Sequence, residues 1–178
     1  MVVVVTGQPG VGKTRLALAL AHYFQEQDSP YFVLHTDILK VSLRQVGVNG
    51  LNGLSTQEDA PHRLSLMQPF LEHQERKARR DGYGLIIEGT LALGFQPELP
   101  AVCIELQAPK HVCQARVEHK HRSARQELGR VHSFERYQCL VSKHRSSSTH
   151  LMDANQEFSV LLKQAISIIQ QVRGSHAL

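Results

Sequence analysis

Gly7-Gln8-Pro9-Gly10-Val11-Gly12-Lys13-Thr14 spells G-x-x-x-x-G-K-T, and its flanks decide how it is read. Upstream, Met1-Val2-Val3-Val4-Val5-Thr6 is an uncharged, β-branched run, the pattern of a strand buried on both faces at the middle of a parallel sheet. Downstream, Leu16 to Ala21 alternates leucine and alanine, both strong helix formers. Strand, glycine loop and helix together are the context in which this spelling makes a phosphate-binding loop. Gly7, Gly10 and Gly12 admit backbone conformations closed to side chains, so consecutive N–H groups can converge on phosphate oxygens at a helix N-terminus. Gln8, Pro9 and Val11 complete the loop, Lys13 reaches for the β- and γ-phosphates, and the Thr14 hydroxyl can ligate Mg²⁺. The reading implies ATP or a similar triphosphate, with Mg²⁺.

A chain of 178 residues, 42% hydrophobic, suffices for one sizeable core, and 1–178 reads as a single α/β domain. A formal charge of +4 admits polyanionic ligands without choosing among them. Cys103, Cys113 and Cys139 are odd in number and form no C-x-x-C pair, which argues against a disulfide framework or a zinc ribbon and for a reducing, cytoplasmic setting. The apolar N-terminus runs straight into the loop and is too short for a signal peptide. No stretch is long enough to span a bilayer.

Outward from the loop, Tyr31 to His35 reads as a second strand ending in Thr36-Asp37. Ligands of open α/β sheets sit beyond the carboxyl ends of the strands, so Asp37 is a candidate for the same crevice; it is equally a candidate N-cap for a helix over 38–44. Residues 47–54 are glycine-spaced and read as a loop. Ser55 to Glu58 has capping-box spacing and opens a helix to about Arg80, with Pro61 tolerable in its first turns and Pro69 a kink or break. Leu85-Ile86-Ile87-Glu88 is a third buried strand. Glu88 closes it with a carboxylate suited to hold water on Mg²⁺, to orient an acceptor, or simply to pair with a local lysine. Ala101 to Leu106, Thr149 to Met152 and Gln156 to Val172 read as the fourth strand, the fifth strand and the closing helix.

Between Lys110 and Arg145 nine Lys and Arg face three Glu, a surplus larger than that of the whole chain. A helix from about Pro109 carries Arg116, and Arg122 and Arg125 share a face at i, i+3. Such a segment can cover a triphosphate and present arginines to a transferring phosphoryl group, or it can be a solvated basic helix. The histidines at 111, 119, 121 and 132 have no zinc-like spacing.

With these residues placed, the chain resembles the small P-loop kinases, most of all the group of polynucleotide kinase domains, zeta-toxin-like kinases and chloramphenicol phosphotransferase. The resemblance implies a P-loop NTPase three-layer α/β/α sandwich with a five-stranded parallel sheet in the order 2-3-1-4-5, its core at 1–110 and 146–178 and a lid at about 110–145. In that group a D-x-x-R element follows the second strand and its Asp orients or deprotonates the acceptor hydroxyl; Asp37-Ile38-Leu39-Lys40 matches, with Lys for Arg. An arginine-bearing run matches loosely over Arg116 to Arg130, and Asp153-Ala154-Asn155 matches the D-x-[ST/N] beside adenine, making Arg116 and Asn155 nucleotide contacts. Arg15 stands where many of these kinases carry a second hydroxyl on the α-phosphate.

The resemblance implies an ATP-dependent phosphotransferase with Lys13, Asp37, Arg122 and Arg125 as catalytic residues and Thr14 and Glu88 on the metal. Its partner is a hydroxyl-bearing small molecule or nucleotide-like acceptor. Two alternatives stand beside it. The loop is also similar to that of AAA+ ATPases that drive a partner, but those follow the third strand with Asp-Glu where this chain has Glu88-Gly89. A nucleic-acid 5′-hydroxyl kinase would use the basic 110–145 segment, yet only Phe134 and Tyr137 are interleaved there for base stacking.

Overall fold

The structure, a computed structural model, describes residues 1–48, 59–98, 101–120, 134 and 137–175. Five strands among the described residues, β1 (Val2–Gly7), β2 (Tyr31–His35), β3 (Gly84–Glu88), β4 (Ala101–Gln107) and β5 (His150–Asp153), lie parallel in one sheet in the order β2-β3-β1-β4-β5. Helices α1 (Lys13–Glu26), α2 (Thr36–Gln45), α3 (Asp59–Asp81), α4 (Lys110–Lys120), α5 (137–144) and α6 (Phe158–Ser175) connect and cover them, and a 3₁₀ turn spans Leu91–Gly94.

The four consecutive valines of β1 explain its central position, because a strand with helices on both faces can bury every side chain. Val3 and Val5 join Ile86, Ile104 and Leu106 under α1 and α6, which contribute Leu16, Leu20, Phe24, Leu161, Ala165 and Ile169. Val2 and Val4 point the other way, with Leu85 and Ile87, against Met67 and Leu71 of α3, Leu91 and Leu93 of the 3₁₀ turn, and Leu140 of α5. Period-two strands thus divide the apolar residues into two layers, and the result is the three-layer α/β/α sandwich. No helix among the described residues is long and apolar enough to cross a membrane.

The structure corrects the sequence reading at two points. Helix α3 runs through Pro69 without a break. The missing N–H and the ring clash disfavour this by about 3 kcal/mol, but fully burying Met67 and Leu71 on either side returns roughly 1.5–3 kcal/mol each. Asp37 is not an N-cap: α2 begins at Thr36 with His35 in the cap position, so Asp37 lies in the first turn and interacts favourably with the helix dipole. The capping-box residues 55–58 and most of the glycine-spaced loop, 49–54, lie outside the described residues. The fifth strand and closing helix sit one to three residues further along than their sequence signals, at His150–Asp153 and Phe158–Ser175.

One buried ion pair ties α5 to the sheet. Glu105 of β4 is 1% exposed, and the Arg145 guanidinium, just past α5, donates to both of its oxygens, with Nε to Oε2 at 2.5 Å. Removing one partner of such a pair strands a charge in a low-dielectric layer. Arg145→Leu should therefore lower stability in urea unfolding by about 3 kcal/mol, whereas Glu105→Leu combined with Arg145→Leu should recover most of the loss. A single variant as stable as the wild type would contradict this account of how α5 is held.

Candidate active site

The loop from β1 to α1 follows a path that only bare backbone can take. At Gly10 φ is +78°, and a Cβ there would run into the Cys113 carbonyl of α4 and stand 2.6 Å from Val117 Cγ2. Gly12 caps α1 at φ +108° with nothing within 4 Å of a would-be Cβ, so its side faces open space. Val11 is buried and anchors the loop in the core. The Gln8 side chain donates to the Ala108 carbonyl at 3.3 Å, tying the loop to the residue after β4. Pro9 is half-buried between them, and Gly7 closes β1 in register with Leu106.

Lys13 folds back over this loop, its Nζ donating to the Gln8 carbonyl at 2.9 Å. Burial pushes its pKa below the usual lysine value, against the pull of the Glu88 and Asp37 carboxylates and Cys113. The half-buried ammonium thus rests on a neutral carbonyl, a partner that a phosphate can replace.

Beyond the loop three strand ends converge. The Thr14 hydroxyl donates to Glu88 Oε1 at 3.3 Å, and His35 Nδ1 lies 2.6 Å from the same oxygen. His35 was not singled out from the sequence; the available signal was its position at the end of β2, in register with Glu88 at the end of β3. Asp37 is exposed, with Lys40 Nζ donating to its Oδ1 at 3.1 Å. Thr14 and Glu88 fit a magnesium site: both are hard oxygen donors, and Mg²⁺ on a nucleotide needs only one or two protein ligands because phosphates and waters complete its shell. No cluster of three or more His, Cys, Asp or Glu that could hold a metal lies among the described residues.

Against the same loop, lined also by Lys13 and Thr14, a cavity of about 730 Å³ opens between Gly12, Arg15, Arg116, Gln156 and Phe158. Its volume falls within the roughly 300–1,000 Å³ of small-molecule sites. The Arg15 guanidinium lies 3.9 Å from the centroid of the Phe158 ring, a cation–π contact that makes it part of the wall. Arg116 Nη2 reaches the Ala154 carbonyl at 3.5 Å. Asn155 is exposed and donates its backbone N–H to Asp153 Oδ1 at 2.8 Å, closing an Asx turn. Its neighbours Ala154 and Gln156, rather than Asn155 itself, line the cavity. Arg122 and Arg125 lie outside the described residues.

Comparison with known proteins adds a family and a fold. A family profile described as Zeta toxin matches residues 1–169. No curated protein sequence matches the chain. Among solved structures, the chain is similar to a sugar kinase from Janibacter sp. HTCC2649 at 17% identity and a TM-score of 0.59, over 95% of this chain and 94% of that one. It is similar to a gluconokinase from Sinorhizobium meliloti 1021 at 16% identity and a TM-score of 0.57, over 98% and 94%. A protein named APE1195 aligns at 18% identity with a TM-score of 0.62, over 97% and 95%. At these identities the likeness is one of fold.

The two loop glycines separate strain from collision. Both substitutions place alanine at positive φ, which disfavours an L-residue by roughly 1–2 kcal/mol, but only Gly10→Ala also drives a methyl into α4, adding about 1–3 kcal/mol. Gly10→Ala should therefore melt well below Gly12→Ala in thermal unfolding. Equal melting temperatures would mean that α4 does not press on the loop.

Proposed function

The chain belongs to the Zeta toxin family, and from that premise we propose that it is an ATP-dependent phosphotransferase moving the γ-phosphate of ATP to a hydroxyl of a small-molecule or nucleotide-like acceptor. The observation that carries this reading is the contact of Thr14, beside Lys13 at the start of α1, with Glu88 at the end of β3, while Lys13 feels the charge of both Glu88 and Asp37. The names of two solved neighbours, a sugar kinase and a gluconokinase, favour an acceptor of polyol type.

In this reading the loop N–H groups and Lys13 hold the β- and γ-phosphates, while the wall of Arg15, Arg116 and Phe158 receives the nucleoside end. Thr14 and Glu88 would hold Mg²⁺, which would supply charge neutralisation on the phosphate oxygens. Asp37 accepts the proton of the acceptor hydroxyl. The acceptor oxygen then bonds to Pγ, the bond from Pγ to the bridging oxygen breaks, and ADP departs. Lys40 yields Asp37 readily, because an exposed i, i+3 ion pair contributes about 1 kcal/mol or less. Arg122 and Arg125 are assigned to the transferring phosphoryl group. Cys103, Cys113 and Cys139 are all free thiols, which supports a cytoplasmic setting.

A plain triphosphate hydrolase would need a carboxylate to position water, and Glu88 is the nearest candidate. Its Oε1 is engaged by Thr14 and His35, so the Asp37→Asn and Glu88→Gln variants separate hydrolysis from transfer.

Wild type, Asp37→Asn and Glu88→Gln separate these readings when assayed across nucleosides, sugars, antibiotics and 5′-hydroxyl oligonucleotides with mass detection of phosphorylated product. Asp37→Asn should bind ATP as the wild type does and transfer phosphate about 10²-fold more slowly or worse. Glu88→Gln should weaken nucleotide binding in the presence of Mg²⁺. An Asp37→Asn variant transferring at the wild-type rate would remove Asp37 from the mechanism.

A further inference from the structure

We propose that His35 is a positioning residue for the Thr14–Glu88 pair, setting through its Nδ1 bond to Glu88 how tightly the nucleotide-bound cation is held. The inference rests on the metal role assigned above to Thr14 and Glu88.

Three observations support it. First, Glu88 is 6% exposed, and a carboxylate so buried needs hydrogen-bond partners. His35 supplies the shorter of its two bonds, 2.6 Å against 3.3 Å from Thr14. With Glu88 ionised, Nδ1 carries the proton and donates it. Second, both bonds end on Oε1, so His35 and Thr14 orient the carboxylate through one oxygen.

Third, the backbone behind both residues is held rigidly. His35 pairs with Glu88 across the β2–β3 ladder, and Thr36, 0% exposed, packs so closely on Gly89 that a Cβ there would collide with its hydroxyl. The Gly89 N–H in turn donates to the Val5 carbonyl at 3.1 Å, locking this corner to the central strand.

The consequence falls on Thr14. Its hydroxyl has one proton and two lone pairs; while the proton goes to a fixed Glu88, the lone pairs remain for a cation. Without His35 the carboxylate keeps one bond instead of two and can turn, and Thr14 loses the fixed acceptor that orients it. Partners one bond removed from a metal typically govern its affinity by about 10–100-fold.

Calorimetric titration of the full chain with ADP, once with EDTA and once with Mg²⁺, gives the tightening due to the cation as a ratio of two affinities. His35→Ala should leave metal-free ADP binding unchanged and reduce that ratio by roughly 10-fold or more. His35→Asn, whose side-chain amide reaches the position of Nδ1, should keep the ratio, whereas His35→Gln, whose amide reaches further, should lose it as Ala does. Should His35→Ala fail to fold, the Asn and Gln variants decide between them, with thermal melts run alongside. A wild-type ratio in both His35→Ala and His35→Gln overturns the proposal. A wild-type protein that binds ADP with no response to Mg²⁺ removes the metal role of Thr14 and Glu88, and the proposal with it.

Discussion

The contact of Gly10 with the backbone of α4 is the constraint on which the rest of the site depends. The loop after β1 must turn into α1 while passing under the Cys113 carbonyl, and there is no space at that crossing for even a methyl group. Val11 beneath it is locked into the core, and Gln8 is tied to the end of β4. With three successive anchors the loop has one path, and that path turns the Val11 N–H and the Lys13 ammonium onto the Gln8 carbonyl. Preorganisation of this kind matters because dipoles already oriented toward a phosphate need no rearrangement when it arrives.

Electrostatically the crevice is arranged as two compartments. On one side Lys13 sits half-buried with its charge disfavoured by desolvation, and Arg15 and Arg116 line the adjoining cavity. On the other, Glu88, His35 and Asp37 collect at the ends of β3 and β2. Parallel pairing is what brings them together: Val5, Glu88 and His35 stand at one level of the sheet, so residues far apart in the chain end at a single line. In the function proposed above, a triphosphate would span the junction of the two compartments, its charge answered by the first and its cation by the second.

Much of this was legible in the sequence because the relevant signals are local. Four valines before a G-x-x-x-x-G-K-T run specify a central strand, a loop and a helix start with hardly any tertiary information, and carboxylates at strand ends mark themselves by contrast with the apolar run before them. What escaped was decided by tertiary packing. Pro69 reads as a kink or a break, but Met67 and Leu71 are buried to either side of it and the helix is not broken. Asp37 reads as a cap, but Thr36 tucks against Gly89 and the helix starts two residues early. His35 was passed over as the last residue of a strand, since nothing adjacent to it in sequence reveals that β3 would bring a glutamate within 2.6 Å.

The central claim is that the Gly7–Thr14 loop holds a triphosphate through Lys13, and ATP affinity of wild type against Lys13→Ala tests it most directly. Calorimetric titration should show wild-type binding weakened by about 10-fold or more in the variant, the loss of a charge-assisted hydrogen bond worth roughly 1.5–3 kcal/mol. Equal affinity in the two proteins, with the variant folded, would contradict it.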